Sequence, residues 1–227
     1  MPPPINRTPT LSGIDDATRN LVRIAAAIAG GSEQQTRSVM EQAVGSAEAG
    51  AIDEVILQSY LFAGFPRALN AARVWRTVSG KPAPTSDFEA EISNASAWVE
   101  RGEITCRRVY GESYEMLREN IRDLHPALDS WMITDGYGKV LSRPGLDLRT
   151  RELCILAACA ASGQQRQLHS HLHGALNSGA TPSEVIAALD SLTGLVDEDN
   201  LVRYRGLLAR VLAKRHAPAQ QGSANVH

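Results

Sequence analysis

Apolar residues recur along most of this chain with the period of an α-helix. Two stretches, one near each end, space them three and four residues apart, at Leu21, Ile24, Ala25 and Ile28 and at Val185, Ala188, Leu189 and Leu192. This spacing places a single apolar stripe along each stretch, whereas a strand would alternate. The sequence therefore predicts an all-α fold, with helices from Arg19 to Ile28 and from Glu184 to Leu195.

Glycine and proline divide the helical pattern into short segments of about ten to eighteen residues. The predicted breaks are Gly30-Gly31, Gly50, Gly64 to Pro66, Gly80 to Pro84, Gly145, Ser162-Gly163, Gly179 and Gly194. A clear helix start follows at Thr181, which can cap the helix, while Pro182 suits the first helical position and Glu184 completes a capping box.

The two ends of the chain resemble each other, which predicts an internal duplication. Thr18-Arg19-Asn20-Leu21 aligns with Thr150-Arg151-Glu152-Leu153, and Gly31, Ala43 and Gly64 align with Gly163, Ala175 and Gly194. A helical unit that cannot close its own core would pack against its twin. We predict unstructured ends at residues 1–13 and 216–227, a first repeat at 14–80, a linker and the start of a polar helical insertion at 81–98, and a second repeat at 99–215.

Composition narrows the class of protein. The chain has 227 residues, of which 43% are hydrophobic, and a formal net charge of -2. A near-neutral protein of this kind gives no electrostatic reason to expect nucleic acid or an anionic membrane as a partner. The three cysteines, Cys106, Cys154 and Cys159, form no CxxC pair and are typical of reduced thiols, and no signal peptide or membrane span is recognisable. The expected location is the cytoplasm.

One group of polar residues in the second repeat suggests chemistry. Glu152 is followed by Gln164, Gln167 and His171, and the last three would share a helix face with apolar Leu168, Leu172 and Ala175. A titratable ring on such a face is either a satisfied core histidine or part of a reaction site. The first repeat has Val39 and Asn20 at the positions of His171 and Glu152, so this pair occurs once.

Several separated motifs resemble the carboxymuconolactone decarboxylase family. They are Tyr137-Gly138-Lys139-Val140-Leu141-Ser142-Arg143-Pro144-Gly145-Leu146, Arg149-Thr150-Arg151-Glu152-Leu153 and the stretch from His171 to Thr181. The resemblance is strong over about Val99 to Leu195 and weaker over Asp15 to Val78. It implies an all-α, AhpD-like helical bundle made of two tandem repeats of the family's unit. It also implies a homo-oligomer, which for a duplicated chain would be a trimer.

The resemblance implies a lyase that removes carbon dioxide from a small carboxylated lactone, or a related isomerase, with no metal or organic cofactor. His171 would be the general acid/base, held in one tautomer by Glu152. Gln164 and Gln167 would donate hydrogen bonds to the lactone oxygens, and Arg143 or Arg149 would grip a substrate carboxylate. His173, where decarboxylases commonly have arginine, and Tyr60, in the Tyr60 to Pro66 segment of the first repeat, are further substrate-binding candidates.

Other interpretations remain open. The related AhpD peroxidases use two cysteines where this chain has Gln164 and Gln167, so dithiol chemistry is not expected. His169 and His173 could offer two nitrogens to a metal, but a third strong ligand is not visible at helical spacing, and we predict no metal site. Glu152 could form a surface ion pair with Arg151. The main alternative to an enzyme is a non-catalytic or ligand-binding family member in which His171 is structural.

Overall fold

The computed structural model describes residues 13–216 and confirms the all-α prediction. Within that range it contains helices and no strand, apart from an isolated bridge between Thr193 and Val196. The α-helices, in chain order, are α1 (Asp16–Gly30), α2 (Glu33–Ala43), α3 (Ala49–Ser79), α4 (Ala95–Tyr110), α5 (Tyr114–Leu124), α6 (Pro126–Trp131), α7 (Leu148–Ala161), α8 (Gln165–Asn177), α9 (Pro182–Asp190) and α10 (Glu198–His216). A π-helix (Met132–Leu141) joins α6 to the loop before α7.

Polar side chains at the helix starts explain several of these boundaries. The carboxylate of Asp15 accepts a hydrogen bond from the Thr18 amide, and that of Asp147 accepts one from the Thr150 amide. Ser32 begins α2 with a full capping box, and Thr181 with Glu184 begins α9 in the same way. Each cap satisfies an amide that the helix itself leaves unpaired. The predicted start of α9 is therefore confirmed.

Helix α7 lies at the centre of the fold. It packs against α1, α3, α8 and α9, and every residue from Thr150 to Ala160 is buried. A helix covered on all sides needs no amphipathic stripe, which is why alanine and cysteine can occupy so much of it. Whatever polar side chain α7 carries is therefore held inside the protein.

Two predicted boundaries were wrong, and a third was confirmed as a kink. Gly50 lies in the first turn of α3 rather than at a break, since a glycine is tolerated where the helix begins. The predicted break at Gly64 to Pro66 is confirmed as a kink within α3, because Gly64 leaves the helical backbone with φ +79°, a positive value that favours glycine. Helix α9 ends at Asp190 and not at Leu195.

The predicted insertion is helical, but it is not merely a polar surface layer. Helix α4 packs closely against the π-helix, and Trp98, Gly102, Cys106 and Val109 on α4 are buried. Gly102 faces the carbonyl of Ile133, and Gly138 faces the carbonyl of Trp98, at distances that leave no room for a side chain. Two glycines therefore set how near α4 comes to the π-helix, which carries Tyr137 into the core.

Adding one methyl group at Gly138 should separate these helices. A Cβ at this position would overlap the Trp98 carbonyl oxygen, whereas a Cβ at Gly136 would have its nearest neighbour 4.0 Å away. We expect Gly138→Ala to lower the free energy of unfolding by about 1–3 kcal/mol. The matched variant Gly136→Ala should be within about 0.5 kcal/mol of the wild type. Equal urea midpoints for the two variants would show that the close approach is unimportant.

The structure bears on only part of the predicted repeats and chain ends. Helices α1 and α7 begin alike, each with an aspartate that accepts a hydrogen bond from a threonine amide, but the duplication itself stays a prediction. The predicted unstructured ends lie outside the described residues, apart from Gly13 and His216. In the part of the chain that is described, no helix is both long enough and apolar enough to span a membrane.

Candidate functional site

The structure brings Glu152 of α7 together with His171 of α8 inside the protein. The His171 Nδ1 atom lies 2.8 Å from the Glu152 Oε2 atom. Glu152 is completely buried and only 5% of His171 is exposed, so the alternative of a surface ion pair between Arg151 and Glu152 is excluded. The two residues lie nineteen positions apart in the sequence and meet because α7 and α8 pack side by side.

The hydrogen bond decides which nitrogen of the ring is free. An ionised carboxylate can only accept, so Nδ1 carries the proton that it donates to Glu152. Nε2 has no hydrogen-bond partner among the described residues. The second carboxylate oxygen, Oε1 of Glu152, is buried and likewise has no partner within residues 13–216. An unpaired buried oxygen costs free energy, which is typical of a site that works on a ligand or a proton.

Gly174 allows the carboxylate to reach this position. It follows His171 by about one helical turn on α8, and a Cβ there would collide with Glu152 Oε2 and come within 2.8 Å of the Val109 side chain. Any larger residue would push Glu152 away from His171 or α8 away from α4. Gly174 is therefore a positioning residue that the sequence analysis missed, although it directly follows His173 in the motif quoted above.

Aromatic rings surround the pair. The edge of Phe62, from α3, faces the His171 ring at a centroid distance of 5.8 Å. On the side of Glu152, Tyr110 and Tyr137 hydrogen-bond to each other, and burial raises the pKa of both hydroxyls, as does the negative charge of Glu152. Both tyrosines therefore stay protonated across the physiological range and can donate hydrogen bonds.

The two predicted amide donors are not beside the histidine. Gln164 precedes α8 with a non-helical backbone and is exposed, so it does not share a helix face with His171 as predicted. Gln167 is on α8 but is also exposed. The face that contains His171 is filled by Leu168, Leu172 and Ala175, which are fully buried. Within this chain, neither amide occupies the place expected of an oxyanion donor.

The two candidate arginines are engaged elsewhere. Arg143 forms a bidentate ion pair with Glu54 at 2.9 Å and a second pair with Asp87 at 2.8 Å. Arg149 pairs with Glu184. A substrate carboxylate would have to displace these partners, so the predicted role of either arginine as a free carboxylate clamp is not supported by the geometry.

The two remaining candidates lie on different helices, His173 on α8 and Tyr60 on α3. His173 lines a surface cleft between α4 and α8 together with His169, which contacts it at a ring-centroid distance of 5.0 Å. Tyr60 is half-buried on α3 and stacks on Phe65 at 4.8 Å. Across residues 13–216, no three His, Cys, Asp or Glu side chains lie close enough together to hold a metal ion.

The comparisons with known proteins identify the part of the chain that contains this pair. Residues 130–201 match the sequence profile of the carboxymuconolactone decarboxylase family, from the end of α6 to the start of α10. Over these residues the chain is similar to the carboxymuconolactone decarboxylase family. The matched region includes both Glu152 and His171, and its helices agree with the all-α fold expected of the family.

Two curated proteins show family-level similarity. Peroxisomal protein 2 of Schizosaccharomyces pombe is 31% identical over 137 residues, which are 60% of this chain and 63% of that protein. The 4-carboxymuconolactone decarboxylase of Acinetobacter baylyi is 34% identical over 67 residues, which are 30% of this chain and 50% of that protein. The chain thus spans less than two thirds of the length of either relative.

A buried ionic network that the sequence did not predict joins the matched region to α3. Arg151, fully buried on α7, donates to the Glu54 carboxylate at 2.8 Å and to the Gln58 amide oxygen at 3.2 Å. Glu54 also accepts from Arg143, so one carboxylate serves two arginines. Burial alone would raise the pKa of Glu54, but the hydrogen bonds and charges of Arg143 and Arg151 outweigh it and lower that pKa. The sequence signal that could have indicated this network is Glu54 four positions before Gln58 on an apolar helix.

The cysteines of this protein are poor nucleophiles. All three are buried, and burial raises the pKa of Cys106 and of Cys159 to about 12 and that of Cys154 further. The thiolate is the reactive form, so almost none is present at neutral pH. This supports the expectation that dithiol peroxide chemistry is absent.

We expect the native protein to resist a thiol-specific chromogenic reagent at pH 8. In 6 M urea the same reagent should label all three thiols within minutes, because unfolding exposes them. The measurement is the absorbance of the released chromophore against time. Rapid labelling of even one thiol in the folded protein would contradict the burial of the cysteines and would make thiol-dependent peroxidase activity possible again.

Proposed function

We propose that this protein is a cofactor-independent acid/base enzyme of the carboxymuconolactone decarboxylase type. The observation that carries the proposal is the buried Glu152–His171 hydrogen bond, with Nε2 of the ring and Oε1 of the carboxylate left without partners among the described residues. A ring fixed through one nitrogen and free at the other is the arrangement that general acid/base catalysis requires. The similarity to a 4-carboxymuconolactone decarboxylase supports the substrate class.

The proposed reaction needs no cofactor to balance. The bond between the substrate carbon and its carboxylate breaks, carbon dioxide leaves, and the electron pair moves into the conjugated lactone carbonyl as a dienolate. His171 takes up a proton from solvent at Nε2 and transfers it to carbon, which leaves Nε2 bare again. Throughout, Glu152 accepts the hydrogen bond from Nδ1 and so keeps Nε2 aimed away from α7. Isomerisation of an enol-acid would use the same proton transfer without loss of carbon dioxide.

The apolar wall around His171 suggests a small unsaturated ring as the substrate. Phe62 presents its edge to the imidazole, and Tyr60 lies two residues before it on α3. Arg143 and Arg149 already form ion pairs with carboxylates of the protein. We therefore do not propose that either one binds the carboxylate of the substrate. Tyr60 remains the proposed polar contact from α3.

A direct assay tests the proposal. The purified protein would be incubated with a panel of carboxylated five-membered unsaturated lactones and with enol-acids. Loss of the conjugated chromophore would be followed by absorbance, and carbon dioxide by a coupled assay. We expect at least one lactone to be consumed in the absence of added metal or nucleotide cofactor. Turnover of no compound in the panel, at any pH from 5 to 9, would contradict the proposal.

The structure also favours one feature of the alternative, a non-catalytic or ligand-binding protein. His171 is only 5% exposed, and four of the predicted substrate-binding side chains, Gln164, Gln167, Arg143 and Arg149, are exposed or ion-paired. If His171 is purely structural, every variant at this position should lower the melting temperature, and no substrate should be turned over by the wild type. Turnover that depends on His171 separates the two functions.

We propose further that the chain works as a homo-oligomer, a trimer if the duplication is real. Helix α3 exposes the apolar side chains of Leu57, Phe65 and Leu69. Burying them against another copy of the chain would be energetically favourable. Light scattering at several concentrations would give the mass, and a constant monomer mass would contradict this. The cytoplasm remains the proposed location. The name of the fission-yeast relative raises the peroxisome as the second possibility, and imaging a tagged protein distinguishes them.

A further inference from the structure

A second candidate site lies outside the Glu152–His171 pair. A cleft of about 620 Å³ opens where the end of α4 and the start of α5 face α8 and the end of α10. Its volume falls within the range of small-molecule pockets, which is roughly 300–1,000 Å³. His171 does not line it, because His169, Ser170, His173 and Asn177 occupy the opposite side of α8. The mechanism proposed above therefore does not use this cleft.

One wall of the cleft has an arginine and two imidazole rings. His169 and His173 on α8 stand beside Arg215 on α10. Among the described residues Arg215 contacts only the neutral side chain of Asn177 and has no carboxylate partner. Burial, and then the nearby charges of His169, Arg215 and Lys214, lower the pKa of His173, so its ring is mostly neutral near pH 7 and can donate a hydrogen bond. The acid that lines the cleft, Glu112, follows α4 and belongs to the other wall.

Apart from Glu112 and its polar neighbours, the other wall is apolar and aromatic. Met116 and Leu117 of α5 line it, together with the ring of Tyr110 at the end of α4. Methionine and aromatic side chains make good contacts with flat rings, and guanidinium groups bind carboxylates through paired hydrogen bonds. The two walls thus fit a molecule with a carboxylate at one end and a flat apolar ring at the other.

We propose that this cleft binds a small planar organic acid, with its carboxylate at Arg215 and His173 and its apolar ring against Met116 and Leu117. The site is distinct from the proposed reaction site and does not depend on its being catalytic. A ligand there would contact Tyr110, whose hydroxyl is hydrogen-bonded to Tyr137 near Glu152.

The probe for this proposal is 2-naphthoate, with 2-naphthamide as its uncharged counterpart. Each would be titrated into the ¹⁵N-labelled full chain and followed by two-dimensional NMR. We expect 2-naphthoate to bind saturably, with a dissociation constant on the order of 1 mM, as is usual for a ligand of this size. The amides of residues 110–117 and 169–177 should shift most. The amide probe should bind at least about tenfold more weakly, since it lacks the charge.

Matched variants locate the binding. Arg215→Gln should weaken 2-naphthoate binding by about tenfold, whereas Arg210→Gln, the same change on the same helix but outside the cleft lining, should leave it within twofold. Both arginines are exposed, so circular dichroism should show both variants folded. His171→Gln should bind the probe as the wild type does, which separates this test from that of the proposed function. Shifts confined to other surfaces, equal binding of the two probes, or equal affinities of the two arginine variants would each overturn the proposal.

Discussion

Replacing His171 with glutamine is expected to lower turnover of a lactone substrate by about 10²–10⁴-fold, the usual contribution of a general acid/base. Glutamine can still donate a hydrogen bond to Glu152 Oε2, but its amide cannot pick up and release a proton near neutral pH. The substitution therefore removes the proposed chemistry while avoiding a buried carboxylate without any donor, which alanine would leave behind. The measurements are the initial rate and the melting temperature of each variant.

Two controls sharpen this prediction. Gln165→Ala changes an exposed residue on the same helix and should keep wild-type activity. Glu152→Gln preserves an acceptor for Nδ1 but no longer imposes one tautomer, so its turnover should fall by a smaller factor, about tenfold. A His171→Gln protein that is folded and as active as Gln165→Ala would rule out proton transfer by this ring.

Replacing Glu54 with glutamine is expected to cost about 3–5 kcal/mol of unfolding free energy, which is typical when a buried ion pair loses one partner. Arg151 is fully buried and Arg143 nearly so, and both would lose the carboxylate that neutralises them. The neighbouring variant Asp53→Asn breaks the pair with Arg76, whose side chains are about a quarter exposed, and should cost less than about 1 kcal/mol. Urea denaturation at pH 7 measures both.

The Glu54→Gln variant should also change how the free energy of unfolding depends on pH. Because the arginines hold the Glu54 pKa below its usual value, ionised Glu54 stabilises the folded state above the unfolded value near 4.5. This contribution is lost as the pH falls through the lower folded value. The difference in stability between wild type and Glu54→Gln should therefore shrink when the pH is taken from 6 to 3. A difference that stays constant would mean that Glu54 is not the charged partner.

Local pattern explains which parts of the fold could be predicted from sequence. The stripes in α1 and α9 and the capping box at Thr181 depend on residues within one or two turns, so they could be recognised directly. Helix α7 has no stripe because it is covered on every side. The π-helix and the contact of Gly138 with α4 depend on a neighbour about forty residues away in the chain, and hydrophobic period carries no information about it.

The candidate site divides in the same way. The pairing of Glu152 with His171 could be expected because both residues belong to motifs that resemble the family and lie on consecutive helices. The engagement of Arg143 could not, since its partners Glu54 and Asp87 lie 89 and 56 positions away. The exposure of Gln164 follows from where α8 begins, and helix boundaries are the least predictable feature of a sequence.

The most direct test of the central claim is to observe the protons on the His171 ring. Long-range ¹H–¹⁵N NMR of the ¹⁵N-histidine-labelled protein, at a pH where the ring is neutral, reports which nitrogen is protonated. The prediction is a proton on Nδ1, held by Glu152, and a bare Nε2. In Glu152→Gln the two tautomers should become mixed. A proton found on Nε2 in the wild type would contradict the claim that Glu152 holds the ring ready for proton transfer.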